Sequence, residues 1–192
     1  MSATPPSHHL VALRVENKAG VLVRVAGLFA RRGFNIVSLA VAPTDDERFS
    51  RISIVVDAAS APLQQVVDQL DKLINVVWIR ELAPAEAEEA ELLLATVAVS
   101  LGSREAVHLE AVSASAGAEV VDSDGEATTV RLAGTPETLD AFEDELRAYR
   151  IVELQRTGRI ALPKLSRRGA TERAGGGNGG AAGALAGERG AS

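Results

Sequence analysis

Two asparagines and a glycine near the start of this chain are the residues best suited to hold a small ligand. Asn17 and Gly20 lie in a turn directly before a predicted helix, and Asn35 follows that helix. The first backbone N–H groups of a helix have no intrahelical acceptor, so Gly20, Val21 and Leu22 offer donors to a small anion. Gly20 has no Cβ to hold a ligand away from the backbone, and asparagine amides both donate and accept. These groups predict a site for a free amino acid, which needs donors for its carboxylate and an acceptor for its ammonium group.

Each of these residues also has a purely structural explanation. Asn17 could end a strand, Gly20 could serve a turn with positive φ, and Asn35 could cap the preceding helix. Their joint occurrence favours a ligand site over three independent structural roles. The predicted strand order lets both asparagines approach the same end of one sheet, either within one chain or across a dimer.

The remaining reactive side chains predict neither a catalytic residue nor a metal site. Cysteine is absent, and the histidines are His8, His9 and His108. The first two lie close together near the chain start, and His108 stands alone on a predicted helix, so no ligand cluster or nucleophile with its base is formed. Acidic pairs such as Asp45 and Asp46 fall in a turn, where they are expected to be solvated charge rather than a tuned acid and base.

The amino-acid composition limits which classes of molecule this chain is expected to bind. The 192 residues carry a formal net charge of −6, and 46% of them are hydrophobic. An acidic chain lacks the broad positive surface that nucleic acid and anionic lipid require. No stretch of about 18 consecutive apolar residues and no signal-peptide pattern occurs. We therefore expect a cytoplasmic protein that binds proteins or small molecules, with no nucleic acid and no membrane among its partners.

Hydrophobic periodicity predicts the elements that must carry the turn. Apolar residues from Val21 to Phe29 recur at helical spacing, and Gly33 stands at the position typical of a helix end. Short runs rich in valine, isoleucine and leucine predict strands on either side. The predicted order is β-α-β-β-α-β, with strands at His9–Val15, Asn35–Ala42, Arg51–Val56 and Val76–Leu82 and a second helix opened by Pro62.

The second half of the chain repeats this order after an acidic, alanine-rich stretch. Residues 83–91 contain no large apolar side chain before Leu92, and they predict a linker, with an acidic helical turn inside one domain as the alternative. The following pattern again reads β-α-β-β-α-β, which is the ferredoxin-like unit. We therefore predict an α+β protein with tandem ferredoxin-like domains at residues 8–82 and 92–164, followed by a disordered tail rich in glycine and alanine at residues 165–192.

Several segments carry a specific family resemblance. Val15–Leu22, Leu28–Ile36 and Gln69–Val76 resemble the ACT domain of the regulatory small subunit of acetolactate synthase, also called acetohydroxyacid synthase. Arg156–Leu162 is similar to the closing segment of the same family. The resemblance covers residues up to 82 well, whereas the second half is similar mainly in layout.

The resemblance implies a noncatalytic subunit that activates the catalytic large subunit in valine, isoleucine and leucine biosynthesis and confers feedback inhibition by valine. It implies no cofactor in this chain, because thiamine diphosphate, Mg and FAD are expected only in the catalytic subunit. Family members pair their ACT domains in a homodimer and bind valine or another branched-chain amino acid between them. Carried over by motif, the ligand is held by Asn17, Gly20, Val21 and Leu22 of one copy and by Asn35 and Ile36 of the other.

A second class of function stays open at this stage. ACT-type modules also act as free-standing amino-acid sensors that control another protein, and a fold does not fix its function. No helix-turn-helix pattern accompanies the predicted domains, and an enzyme in its own right is disfavoured by the missing catalytic residues. A stable complex with a thiamine-diphosphate enzyme would distinguish the regulatory subunit from the sensor.

Overall fold

The computed structural model describes residues 8–57 and 63–165. Its N-terminal unit is a four-stranded antiparallel sheet with strand order β2-β3-β1-β4, and the predicted β-α-β-β-α-β order is confirmed. The elements of this N-terminal unit are β1 (His8–Glu16), α1 (Val21–Arg31), β2 (Ile36–Pro43), β3 (Phe49–Asp57), α2 (Leu63–Leu70) and β4 (Val76–Leu82).

The apolar face of α1 fixes the position of the turn before it. Val21, Val25 and Phe29 recur every fourth residue and are all buried against Leu13 and the other core residues of the sheet. Burying a side chain of this size contributes about 1.5–3 kcal/mol relative to leaving it exposed. The start of α1 is therefore held rigidly above the end of β1.

The C-terminal unit has the same element order. Its sheet has the strand order β6-β7-β5-β8, so the predicted repeat is confirmed, and one further strand, β9, pairs with the first half of β5. The elements of this C-terminal unit are β5 (Ala87–Ala98), α3 (Arg104–Ala116), β6 (Glu119–Ser123), β7 (Thr128–Gly134), α4 (Pro136–Leu146), β8 (Arg150–Arg156) and β9 (Ile160–Pro163).

The stretch predicted to be a linker is regular structure over most of its length. Pro84–Glu86 form one turn of 3₁₀ helix, and β5 begins at Ala87 rather than at Leu92. Ala87 and Ala161 of β9 are buried against the face of the N-terminal sheet that α1 and α2 leave uncovered. Small side chains allow this close approach, and a run of alanine and glutamate carries no strand signal because it lacks large apolar residues.

Two predictions concern residues outside the described ranges. The predicted disordered tail begins at residue 165, and its remainder lies beyond the described residues, as does Pro62. Within the described residues, no helix is long and apolar enough to cross a membrane.

Candidate functional site

The turn between β1 and α1 presents unpaired backbone donors. Gly20 has φ 82° and ψ −7°, and no side chain caps the helix that follows. The first helical hydrogen bond runs from the Arg24 N–H to the Gly20 carbonyl (3.1 Å), and the Val21 N–H donates to the Lys18 carbonyl (3.3 Å). No hydrogen bond among the described residues takes the N–H of Gly20 or of Leu22. These N–H groups can bind a carboxylate at the positive end of the helix dipole.

The side chains of the helix start differ in their roles. Val21 is 4% exposed and belongs to the core, so only its backbone is available to a ligand. Leu22 is 40% exposed and offers apolar surface beside the free N–H groups. The turn thus combines donors with a patch that an aliphatic side chain can contact.

Asn17 has a structural role as well as a free acceptor. Its backbone N–H donates to the Arg48 carbonyl (2.8 Å), and its side-chain Nδ2 donates to the Glu47 carbonyl (3.0 Å), which ties the turn to the loop before β3. Among the described residues, nothing donates to its Oδ1. That oxygen can therefore accept a hydrogen bond from an ammonium group.

A polar cluster that was not predicted from the sequence braces the same turn. Asn75 donates through Nδ2 to Glu16 and accepts at Oδ1 from the guanidinium of Arg24 (2.6 Å). The hydrogen bonds from Asn75 and from Lys18 lower the pKa of the Glu16 carboxyl. The cluster joins the end of β1, the second turn of α1 and the start of β4. The sequence signal was weak, because Asn75 is distant in the chain and resembles an ordinary turn residue.

Asn35 and Ile36 lie at the opposite end of the same sheet. Asn17 lies beside Arg48, just before β3 begins, whereas the Asn35 carbonyl accepts from the N–H of Asp57, where β3 ends (3.2 Å). A strand of 9 residues separates these two positions, which corresponds to roughly 30 Å at about 3.4 Å per residue. The prediction that both asparagines approach one end of the sheet in a single chain is therefore wrong. The reason is that α1 carries the chain back across the sheet before β2 starts.

The strand that follows Asn35 is an edge strand. Within its sheet β2 pairs only with β3, and Val37 and Val41 on it are 47% and 44% exposed. Ile36 is half-buried and packs against the core of the N-terminal unit. Asn35 is exposed at the tip of this edge, so it can contact another molecule.

A cleft of about 840 Å³ runs beside the edge strand, between β2 and β9. Leu39, Val41, Ile160 and Leu162 give it a largely apolar lining. Arg51 lies at its base, where its guanidinium donates to the Ala161 carbonyl (2.7 Å). Burial lowers the pKa of Arg51. No group of three or more histidine, aspartate or glutamate side chains suited to a metal ion occurs in the described part of the chain.

Comparison with known proteins identifies matching families for both units. Residues 11–78 match the model of the AHAS small subunit-like ACT domain, and residues 90–165 match the model of the small subunit of acetolactate synthase. The acetolactate synthase small subunit of Mycolicibacterium smegmatis is 42% identical over 164 residues, which cover 85% of this chain and 95% of that protein. A probable acetolactate synthase small subunit of Methanothermobacter thermautotrophicus is 38% identical, over 84% of this chain and 96% of its own.

A solved structure shares the arrangement of both units. The crystal structure of the acetolactate synthase small subunit from Thermotoga maritima superposes with a TM-score of 0.72 at 31% sequence identity. The superposition covers 82% of this chain and 97% of the Thermotoga chain. The similarity therefore extends through the C-terminal unit and is not confined to the turn at Asn17.

Proposed function

Since the chain belongs to the acetolactate synthase small-subunit family, we propose that it activates a thiamine-diphosphate-dependent catalytic subunit and makes that subunit sensitive to valine. In this proposal the chain itself is noncatalytic and holds no cofactor. The transferase chemistry, with thiamine diphosphate, Mg and FAD, belongs to the catalytic subunit. We place the complex in the cytoplasm, a compartment that the cysteine-free sequence permits.

The observation that carries the proposal is that the two groups of predicted ligand-binding residues lie at opposite ends of the sheet. One half-site is the turn from Asn17 to Leu22, and the other is Asn35 with Ile36. β2 starts beside Asn35 and ends at Pro43, which pairs with Ser50 near the Asn17 end. If the β2 edges of two copies pair antiparallel around a twofold axis, the start of one β2 meets the end of the other. Asn35 of one copy then comes close to the Asn17 turn of the second copy. A dimer through the ACT domains would thus assemble two equivalent and complete sites.

The groups at each site match the chemistry of a branched-chain amino acid. The free N–H groups of Gly20 and Leu22 would bind the carboxylate, and the Asn17 Oδ1 would accept from the ammonium group. Asn35 and Ile36 of the second copy would close the site and contact the aliphatic side chain. The dipole of α1 adds about 0.3–1 kcal/mol to the binding of the carboxylate.

A ligand bound between two copies can regulate the activity of the catalytic subunit because its affinity can differ between two arrangements of the assembly. Valine changes activity only if it binds one arrangement more tightly than the other. A coupling free energy of about 1–3 kcal/mol, or roughly 5–150-fold in affinity, is typical of such systems. We propose that valine in the ACT dimer changes how the small subunits hold the catalytic subunit, with the C-terminal unit assisting the contact.

The experiment for this function combines partner capture with ligand titration. The tagged full chain is co-expressed with the acetolactate synthase catalytic subunit of the same source, and the complex is assayed with valine, leucine and isoleucine. We expect co-purification, higher activity than that of the catalytic subunit alone, and inhibition by valine. Amino-acid binding without a stable complex would instead support the free-standing sensor, and a complex with no response to any of the three amino acids would contradict the regulatory site.

A further inference from the structure

The loop between β8 and β9 of the C-terminal unit contacts the edge strand β2 close to Asn35. Gly158, between β8 and β9, is buried and has φ +80°. A Cβ placed on it would lie 3.1 Å from the Cβ of Ser38 and 3.4 Å from the backbone nitrogen of Leu39. Among the described glycines with positive φ, it is the one whose added Cβ would meet another residue. The positive φ and the close approach of β2 together favour glycine at this position.

The same loop is anchored firmly in the C-terminal unit. The Thr157 N–H donates to the Leu92 carbonyl (3.0 Å), and the Leu92 N–H donates back to the Thr157 Oγ1 (3.1 Å). The preceding Arg156 forms a two-point ion pair with Glu91, at 3.1 Å and 2.6 Å, and the Glu91 side chain is only 5% exposed. Bidentate pairs of this kind fix orientation. The loop must therefore move together with β5 and β8.

The start of β2, in contrast, is irregular. The pairing of β2 with β3 shifts register between Ile36 and Ser38, so Val37 lies in a bulge. A cleft of about 440 Å³, lined by Val37, Ser38, Asp140 and Arg156 among others, lies beside the contact. The bulge interrupts the strand pairing, and the cleft leaves room beside it. This segment can therefore shift more easily than the regular part of the strand.

We propose that the contact between Ser38 and Gly158 transmits occupancy of the amino-acid site to the C-terminal unit. The inference rests on the function proposed above, because Asn35 and Ile36 immediately precede the bulge. A ligand that pulls on Asn35 and Ile36 displaces Ser38, and Ser38 pushes directly on a loop that is locked to β5 and β8. Gly158 is thus a positioning residue for regulation. It contacts no ligand, but its contact with Ser38 couples a shift of β2 to a shift of the C-terminal unit.

The test separates ligand binding from the response of the catalytic subunit. In Gly158→Ala the new Cβ lies 3.1 Å from the Ser38 Cβ, so one of the two segments must shift by a few tenths of an ångström. Gly117→Ala is a matched control, since Gly117 has φ +76° and nothing within 4 Å of an added Cβ. Valine affinity is measured by calorimetry and inhibition is measured on the reconstituted complex. We expect Gly158→Ala to bind valine within about threefold of the wild-type affinity but to lose at least about half of the maximal inhibition. Gly117→Ala should keep both.

A rescue variant distinguishes crowding at the contact between Ser38 and residue 158 from a general loss of protein stability. Ser38→Gly combined with Gly158→Ala moves the single Cβ of the contact from β2 to the loop, so the crowding is relieved while the new methyl still touches β2 near the Leu39 nitrogen. The Ser38 Oγ, which accepts from the Arg159 N–H (3.5 Å), is lost in the same variant, so inhibition should return part of the way toward the wild-type level. If Gly158→Ala does not fold, Thr157→Val should reduce the maximal inhibition in the same way. It adds no bulk but deletes the hydrogen bond that the Thr157 Oγ1 accepts from Leu92 and the one that it donates to the Gly158 carbonyl (3.0 Å).

The outcomes separate the two proposals. Equal inhibition of Gly158→Ala, Thr157→Val and the wild type would overturn the transmission contact and leave the valine site standing. Loss of inhibition that Ser38→Gly does not restore would also overturn it. A wild-type chain that binds none of the branched-chain amino acids would overturn the proposed function, and the transmission contact with it.

Discussion

The helices that follow β1 and β5 occupy equivalent places in the two units but begin in different ways. In α3, the Ser103 Oγ accepts from the Ala106 N–H (3.0 Å), and Glu105 supplies an acidic residue in the first turn. In α1, Gly20 adopts a left-handed conformation, no side chain caps the helix and the first turn has no acidic residue. A side-chain cap typically stabilises a helix by about 1 kcal/mol. The N-terminal unit forgoes that stabilisation, and the N–H groups of Gly20 and Leu22 have no acceptor among the described residues.

The two helix starts differ in whether they can accept an anionic ligand. A serine at the N-cap satisfies the helix start internally, and a nearby carboxylate would repel an anionic ligand. In the C-terminal unit, Ser103 satisfies one of the donors at the helix start, and Glu105 lies in the first turn. We therefore propose the ligand site in the unit whose helix start has no side-chain cap.

The largest expected effect comes from a substitution that occupies the free N–H groups at the start of α1. Gly20→Ser places a Cβ and a hydroxyl where the carboxylate would bind, and the hydroxyl competes for the same N–H groups. We expect valine affinity to fall by about 10–100-fold, since one or two charge-assisted hydrogen bonds are lost. Isothermal titration calorimetry measures the change directly.

A second positive-φ glycine provides the control for this variant. Gly33, at the other end of α1, has φ +73° and nothing within 4 Å of an added Cβ. Gly33→Ser therefore imposes similar backbone strain without reaching the helix start. An equal loss of valine affinity in both variants would show that strain, rather than occupation of the donors, is responsible.

Removing the side-chain cap of α3 has a smaller expected effect. Ser103→Ala removes the cap of α3, and we expect the free energy of unfolding to fall by about 1 kcal/mol with valine affinity unchanged. Urea denaturation of the full chain measures the stability, with the exposed Ser115→Ala as a control for the loss of a hydroxyl. A clear change in valine affinity would mean that the two helix starts are not independent.

The N-terminal turn could be predicted because its signals are local. Strict apolar spacing from Val21 to Phe29, with Asn17 and Gly20 immediately before it, predicts a strand, a turn and a helix without knowledge of distant residues. The Asn75 side chain that braces this turn could not be predicted, because it is brought there by the path of β4.

Two features of the fold were missed for different physical reasons. The early start of β5 was hidden by its composition, since a run of alanine and glutamate does not mark a buried face, although Ala87 is only 5% exposed. The position of Asn35 was misjudged for a topological reason, because a helix between two parallel strands returns the chain to the far end of the sheet. Asn17 and Asn35 cannot meet within one chain, so of the two arrangements that the sequence leaves open, only the one across a dimer can bring them together.

The most direct test of a site shared between two copies is complementation between two defective chains. Chains carrying Asn17→Ala and Asn35→Ala are co-expressed with different tags, and the mixed dimer is isolated by two affinity steps. In the mixed dimer, one site combines both substitutions, and the other combines Asn17 of one chain with Asn35 of the other and is intact. Each homodimeric variant should bind no valine by calorimetry, whereas the mixed dimer should bind it with the wild-type affinity at half the wild-type stoichiometry. A mixed dimer that binds no valine, or homodimeric variants that bind it normally, would show that the site is not shared between two copies.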